Sequence, residues 1–206
     1  LEKDLIYPLL KSSDIKDLVI NNSKRKVIIT QQKPGEDTHY ISEKYPKLWG
    51  YLNSHIEHFQ KRKSIIYKNK PDFSIFGIGE YSFKQYKIAI SGLYKSPHFS
   101  LLIPENNKTF MVDDSCYFLS FDNVKYALIA LAALNSQKVK DFLDSIVFID
   151  AKRPYTKEVL MRIDLLKAIQ SLGYKGFLDY LKNNTLSFEK VTEQNFVNFI
   201  DYLLNK

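Results

Sequence analysis

The hydrophobic period of the chain changes along its length. An apolar lead, Leu5-Ile-Tyr-Pro-Leu-Leu10, gives way to Lys-Ser-Ser-Asp14, whose hydroxyl and carboxylate groups suit a turn or a cap. Lys24-Arg25-Lys26 then reads as a basic turn leading into the β-branched strand Val27-Ile-Ile-Thr30, which Pro34-Gly35 closes off. From Tyr45 the spacing becomes helical. Pro46 suits a first turn, and Leu48, Leu52, Ile56 and Phe59 share one face of a single amphipathic helix ending in Lys61-Arg62-Lys63. The middle is dense in aromatic and branched residues at Tyr86–Ile90, Phe99–Ile103 and Ser115–Ser120, with polar turns between them, which predicts antiparallel strands.

After Asp122 the pattern is helical to the end, over Lys125–Asn135, Lys138–Phe148, Thr156–Gln170, Tyr174–Lys182 and Thr192–Leu204. The expected fold class is therefore α+β, a mixed and largely antiparallel central sheet with flanking helices. A soft boundary near residue 170 divides a main domain, 1–170, from a small C-terminal helical extension, 171–206, that packs on the core or on a neighbouring domain. The sequence contains no internal repeat and no low-complexity tract.

Composition narrows the partners. Of the net charge of +7, all arises in residues 1–110, which hold 18 Lys and Arg against 11 Asp and Glu, whereas residues 111–206 hold 12 of each. A polyanion is the natural partner of the first half. The longest apolar stretch, Tyr126–Leu134, is about half of the roughly 20 residues a membrane helix needs and reads as buried. A single cysteine, Cys116, excludes an internal disulfide, and His39, His55, His58 and His98 form no compact zinc pattern, so a cytoplasmic setting and no metal site are expected. The first residue is Leu1 rather than Met, and the chain is expected to be an excised piece.

Catalytic motifs are sparse. Ile75-Phe-Gly-Ile-Gly79 has the closely spaced glycines of a cofactor turn, but an aromatic, strand-like segment follows it where a helix is needed, so a tight turn is expected instead. There is no Asn-Pro-Pro-Tyr or Asp-Pro-Pro-Tyr element of an amino-methyltransferase. Asp150-Ala-Lys152 has the acid and lysine of a metal-dependent nuclease, with Asp113, Asp114 and Asp144 as nominal upstream acids, and nucleophilic hydrolysis lacks both a Gly-x-Ser-x-Gly turn and a base for Cys116. The expected catalytic residues are none.

The stretch Pro71–Lys95, PDFSIFGIGEYSFKQYKIAISGLYK, closely resembles the central motif of the TaqI-like C-terminal specificity domain of bacterial adenine-specific DNA methyltransferases, including type IIG enzymes that fuse cleavage and modification. Tyr7–Ile15, Asp113–Leu119 and Asp150–Thr156 match in the same order, so the resemblance covers about residues 5 to 165 and leaves the tail outside it. It implies a sequence-reading module that closes one side of a DNA cleft. The other side would be an upstream methyltransferase domain, with or without a nuclease, which binds S-adenosylmethionine; no cofactor is expected in this chain itself.

Beside that resemblance, the residues themselves supply cations for phosphates and polar or aromatic groups for base edges. Phosphate contacts are expected at Lys61, Arg62, Lys63, Lys68 and Lys70, a run with no acid between Gln60 and Lys70. Lys84, Lys87 and Lys95 interleave with Tyr81, Tyr86 and Tyr94 as a basic-aromatic surface. Lys24, Arg25 and Lys26 form a second basic edge, Gln31 and Gln32 have the donor and acceptor pair that reads adenine, and Lys152 and Arg153 face DNA or the catalytic domain. The alternatives to a DNA reader are a protein-docking module for a methyltransferase or nuclease subunit, using the later helices, and an autonomous nuclease.

Overall fold

A computed structural model of the chain describes residues 2–186, 188 and 190–205. Among the described residues the strands form two sheets. The larger has the order β2-β5-β4-β7: Val19–Ile20 runs parallel to Phe99–Leu102, which pairs antiparallel with Tyr86–Ser91, which pairs antiparallel with Cys116–Phe121. The smaller has β1, Ile6–Leu10, between β3, Arg25–Ile28, antiparallel to it, and β6, Met111–Val112, parallel to it. The α+β class is as the sequence predicts, whereas the single central sheet is replaced by two. After β1 the chain enters a 3-10 turn, Ser12–Asp14, whose Ser12 hydroxyl hydrogen-bonds the hydroxyl of Ser91 on β4. Leu10, Ile15 and Ile20 then pack with Ala89, Leu102, Phe110 and Cys116, so the first strand stands apart from the larger sheet and shares a core with one of its faces.

The other face of the larger sheet carries α4, Val124–Leu134. Its sequence, VKYALIALAAL, has no polar stripe after its first turn, and every residue from Ala127 to Leu134 is buried, packed with Ile88, Ile90, Phe99 and Leu101. Asn123 fixes its start by accepting the Lys125 N–H at 2.8 Å. α5, Gln137–Ile146, follows a Ser136 cap and turns Val139 and Leu143 inward.

The helix expected over 156–170 is split. Thr156 caps the short α6, Lys157–Leu160; Asp164 then caps α7, Leu165–Asn183, by accepting the Lys167 N–H at 3.0 Å. α7 runs through residue 170 and breaks at Gly173, whose φ of 65° lies in the left-handed region that favours glycine. α8, Glu193–Leu204, follows a Thr192/Asn195 capping box. Phe177, Phe196 and Phe199 of these last helices belong to the same buried cluster as α4, and the Phe199 ring stacks on Tyr126 at 4.6 Å between centroids.

Two expectations in the first half are corrected. β3 begins at Arg25, so Arg25 and Lys26 stand in the strand opposite Leu9 and Pro8 rather than in a turn before it. The single helix expected from Tyr45 is two pieces, α2, Pro46–Asn53, and α3, Ile56–Gln60, with a break at Ser54-His55, and a further short helix, α1, Tyr40–Lys44, precedes them. There the Ser54 hydroxyl bonds back to the Tyr51 carbonyl at 2.7 Å, and the bend leaves Phe59 edge-on to Phe73 at 4.9 Å. Phe73, Ile41, Leu48 and Leu52 form a further, small core under the loops that follow.

Lys87 is also misread by pattern alone. It lies on β4 with no exposed surface, its ammonium donating to the Thr109 hydroxyl and the Lys84 carbonyl, with the nitrogen 5.5 Å from the centre of the Phe118 ring. Burial without a carboxylate pulls its pKa from 10.5 down to about 7. The unfolded chain therefore binds more protons between pH 7 and 10.5, so the penalty this residue places on the folded state is full below about pH 7 and is relieved as pH rises through that window. Lys87→Met should stabilise the chain near pH 7 by a few kcal/mol, since Thr109 still donates to the Lys84 carbonyl. The difference in unfolding free energy between variant and wild type should shrink as pH rises to 10, measured by denaturant titration at successive pH values.

Candidate nucleic-acid interface

The small core around Phe73 supports three loops that meet. The first, residues 31–38, is fixed by Gln31, which is buried: its amide donates to the Glu36 carbonyl at 2.5 Å, and its carbonyl oxygen accepts the Ile75 N–H at 2.8 Å. Thr30 and Thr38 add bonds to the carbonyls of Phe73 and Asp72. The second loop, 61–71, leaves the end of α3, makes a 3-10 turn at Ile65–Tyr67, and returns through Asn69 at φ 58°. The third, 72–79, turns at Gly77, where a φ of 72° favours glycine, and enters a 3-10 turn at Glu80–Phe83 before β4.

Arg62 joins the second loop to the third. Its guanidinium lies 4.0 Å from the centre of the Tyr67 ring and 4.9 Å from that of Phe59, and donates to the Phe59 carbonyl at 3.1 Å and the Ser74 carbonyl at 2.7 Å. Two rings and two carbonyls leave this cation an internal staple. Around it, Lys63, Lys68 and Lys70 are exposed and have no ion-pair partner among the described residues. They line a groove of about 520 Å³ with Arg62, Ser64, Ile65 and Tyr67, in which Asp72 is the one acidic wall residue. Ile65, 81% exposed, and Phe76, 69% exposed, project from the second and third loops.

The remaining expected cations are distributed differently. Lys61 pairs with Glu57 one helical turn away at 3.2 Å, at a solvent-exposed site. On the second basic edge, Arg25 grips both oxygens of Asp14 at 2.7 Å and Lys26 meets Glu105 at 2.5 Å, leaving Lys24 exposed beside a groove that Asp14 and Asp17 also line. Burial alone would raise the Asp14 carboxyl, yet the Lys11 N–H and the Arg25 guanidinium hold it below its ordinary range. Lys84 pairs with Asp122 at 2.7 Å, and that bond raises its pKa. Lys95 donates to the carbonyls of Ile149 and Ala151, tying down the loop that carries exposed Lys152. Arg153 bridges to the carbonyl and carboxylate of Asp114 at 3.0 and 3.2 Å. Tyr81 is half-exposed, its ring against Phe118 and its hydroxyl donating to the Gly77 carbonyl at 2.9 Å.

The geometry thus gathers Lys63, Lys68 and Lys70 along one groove, which the Lys24–Lys26 edge and Lys152 do not line. Two assignments are corrected outright. Gln31 is enclosed with both ends of its amide engaged, so it presents no edge to a base. Lys87 is enclosed too, and only Lys84 and Lys95 of that trio reach the surface. Arg62 turns inward, which the aromatic residues three before and five after it, Phe59 and Tyr67, foreshadow.

Among the described residues the nominal catalytic groups are engaged in other bonds. Gly77 and Gly79 sit between irregular backbone and a 3-10 turn, with no strand-to-helix crossover, so the turn lacks the form of a cofactor cradle. Asp113 accepts bonds from Ser115 and Cys116, and Asp114 is taken by Arg153. Among the described residues no group of three or more His, Cys, Asp or Glu is placed to hold a metal ion. The Cys116 thiol is pushed up to about 12, by burial first and by Asp113 beside it, which leaves it without nucleophilic character. No helix among the described residues is long and apolar enough to cross a membrane.

No family model matches the chain. It is 44% identical over 165 residues to the type II methyltransferase M.NspV of Nostoc sp., an alignment covering 80% of this chain and 34% of that protein. The chain is thus related in sequence to a type II methyltransferase, and spans about a third of that relative's length.

Replacing Arg62 with Ala should remove the staple and leave the Ser74 carbonyl without its guanidinium donor, while the Phe59 carbonyl keeps the backbone N–H of residue 62, a loss on the order of 1–3 kcal/mol. Trypsin should then cut after Lys63 or Lys68 at least tenfold faster than in the wild-type chain, with cleavage elsewhere accelerated less; equal acceleration at all sites would show global unfolding instead.

Proposed function

We propose that this chain is the DNA target-recognition part of an adenine-specific type II methyltransferase, a TaqI-like specificity domain, and contributes no catalytic group itself. The single observation that carries this reading is the groove of Lys63, Lys68 and Lys70, three unpaired cations held on loops that a buried network makes rigid. The relation to M.NspV supports the methyltransferase context, and the order of the four matching segments supports the specificity domain.

In this reading the three lysines neutralise phosphates of double-stranded DNA, and the exposed residues of the adjoining loops meet the base edges. Lys24 and Lys152 supply outlying phosphate contacts, while Arg25, Lys84 and Arg153 shape their surroundings through ion pairs. Target discrimination belongs to this chain. Flipping and methylating the adenine belong to the remaining part of the enzyme, in the cytoplasm, where S-adenosylmethionine supplies the methyl group. The present residues contribute to that step only by holding the duplex in register.

Anisotropy titration with a duplex pool tests the proposal. Changing Lys63, Lys68 and Lys70 together to Gln should weaken binding across all sequences and flatten the dependence of log affinity on log salt by about 0.9 for each phosphate no longer neutralised, roughly 2.7 for all three. An unchanged slope would remove this groove from the DNA footprint. Binding of a methyltransferase subunit with no affinity for DNA would favour the docking module.

A further inference from the structure

The turn at Ile65–Tyr67 presents two adjacent branched aliphatic residues to solvent, Ile65 at 81% exposure and Ile66 at 40%. Isolated surface hydrophobics are ordinary. This pair stands at the tip of a loop with Lys63 on one side and Lys68 and Lys70 on the other, and the loop is not free to fold its tip away. Arg62 fastens one end of it to Ser74 and to the Phe59 and Tyr67 rings, and Lys70 at the other end lies against the 31–38 loop, within 3.8 Å of where a side chain on Gly35 would begin. Rigid presentation of an apolar tip between cations serves a ligand whose charged rim surrounds an apolar feature.

We infer that Ile65, with Ile66 behind it, reads the C5-methyl group of thymine in the major groove, while the flanking lysines hold the phosphates on either side; this deepens the DNA-recognition reading and rests on it. An isoleucine has no hydrogen-bonding group, so among base edges its complement is the thymine methyl, the one apolar group that the major groove displays. Arg62 is the positioning residue of this finger: it touches no base and sets where the tip stands.

The test begins with enrichment of this chain's preferred duplexes from a randomised pool, followed by resynthesis of the enriched duplex with deoxyuridine in place of thymidine, which removes only the methyl groups. The wild-type chain should bind the deoxyuridine duplex about fourfold more weakly for each thymine methyl that the tip covers. Ile65→Ser should bind both duplexes equally while keeping the wild-type salt slope and melting temperature. An enriched sequence without thymine, or equal affinity of the wild type for the two duplexes, overturns the finger and leaves DNA recognition standing. Failure to enrich any sequence overturns both readings. Loss on Ile65→Ser of binding to the portion of M.NspV outside the alignment would then identify the tip as a protein contact.

Discussion

A helix that is apolar on every side must be covered on every side, and α4 imposes that requirement on the whole chain. From Ala127 to Leu134 every residue is buried. The larger sheet covers one flank through Ile88, Ile90, Phe99 and Leu101, and the final helices cover another through Ile169, Phe177, Phe196 and Phe199. Burying such a stretch releases apolar surface from water at about 25 cal/mol per Å², which offsets the entropy of ordering the helices that close over it. The C-terminal segment therefore completes the core rather than trailing from it. Gly173 lets α7 change direction while remaining on α4.

Because that core is built largely from the second half and from β4 and β5, the rest of the first half is left to smaller clusters, around Leu10 and Ile15, around Ile29, and around Phe73. This division accounts for the asymmetry of charge. Residues 111–206 balance their charges around a large core, while residues 1–110 carry the excess on loops mounted over a small one. The loops are nevertheless fixed, because buried polar groups tie them together: Gln31 to Ile75 and Glu36, Thr38 to Asp72, Arg62 to Ser74. Networks of this kind specify one arrangement, since each donor removed leaves an acceptor unsatisfied away from water.

The fate of the cations follows from their surroundings more than from their number. Lys87 is drawn into the core by its place on a strand buried on both faces. Arg62 is held by rings, Arg25, Lys26, Lys84 and Arg153 by carboxylates, and Lys95 by carbonyls. What is left without an ion-pair partner among the described residues in one place, at Lys63, Lys68 and Lys70, is a small part of the basic inventory, and it is concentrated where two loops also project Ile65 and Phe76.

The strands from Tyr86 to Phe121, the buried helix α4 and the terminal helices were legible in the sequence because hydrophobic period is a local property, set by backbone geometry within a few residues. The tight turn at Gly77 and the basic run 61–70 were legible for the same reason. Tertiary structure alone decided which cations remain free. Arg25 and Asp14 are 11 residues apart, Lys84 and Asp122 38, Arg153 and Asp114 39, and Lys26 and Glu105 79, so no local pattern announces these pairs. It also decided that Gln31 supports a loop from within and that β1 leaves the larger sheet. Each is set by the packing of segments distant in the chain, where burial and a long-range partner outweigh the intrinsic preference of a polar side chain for water.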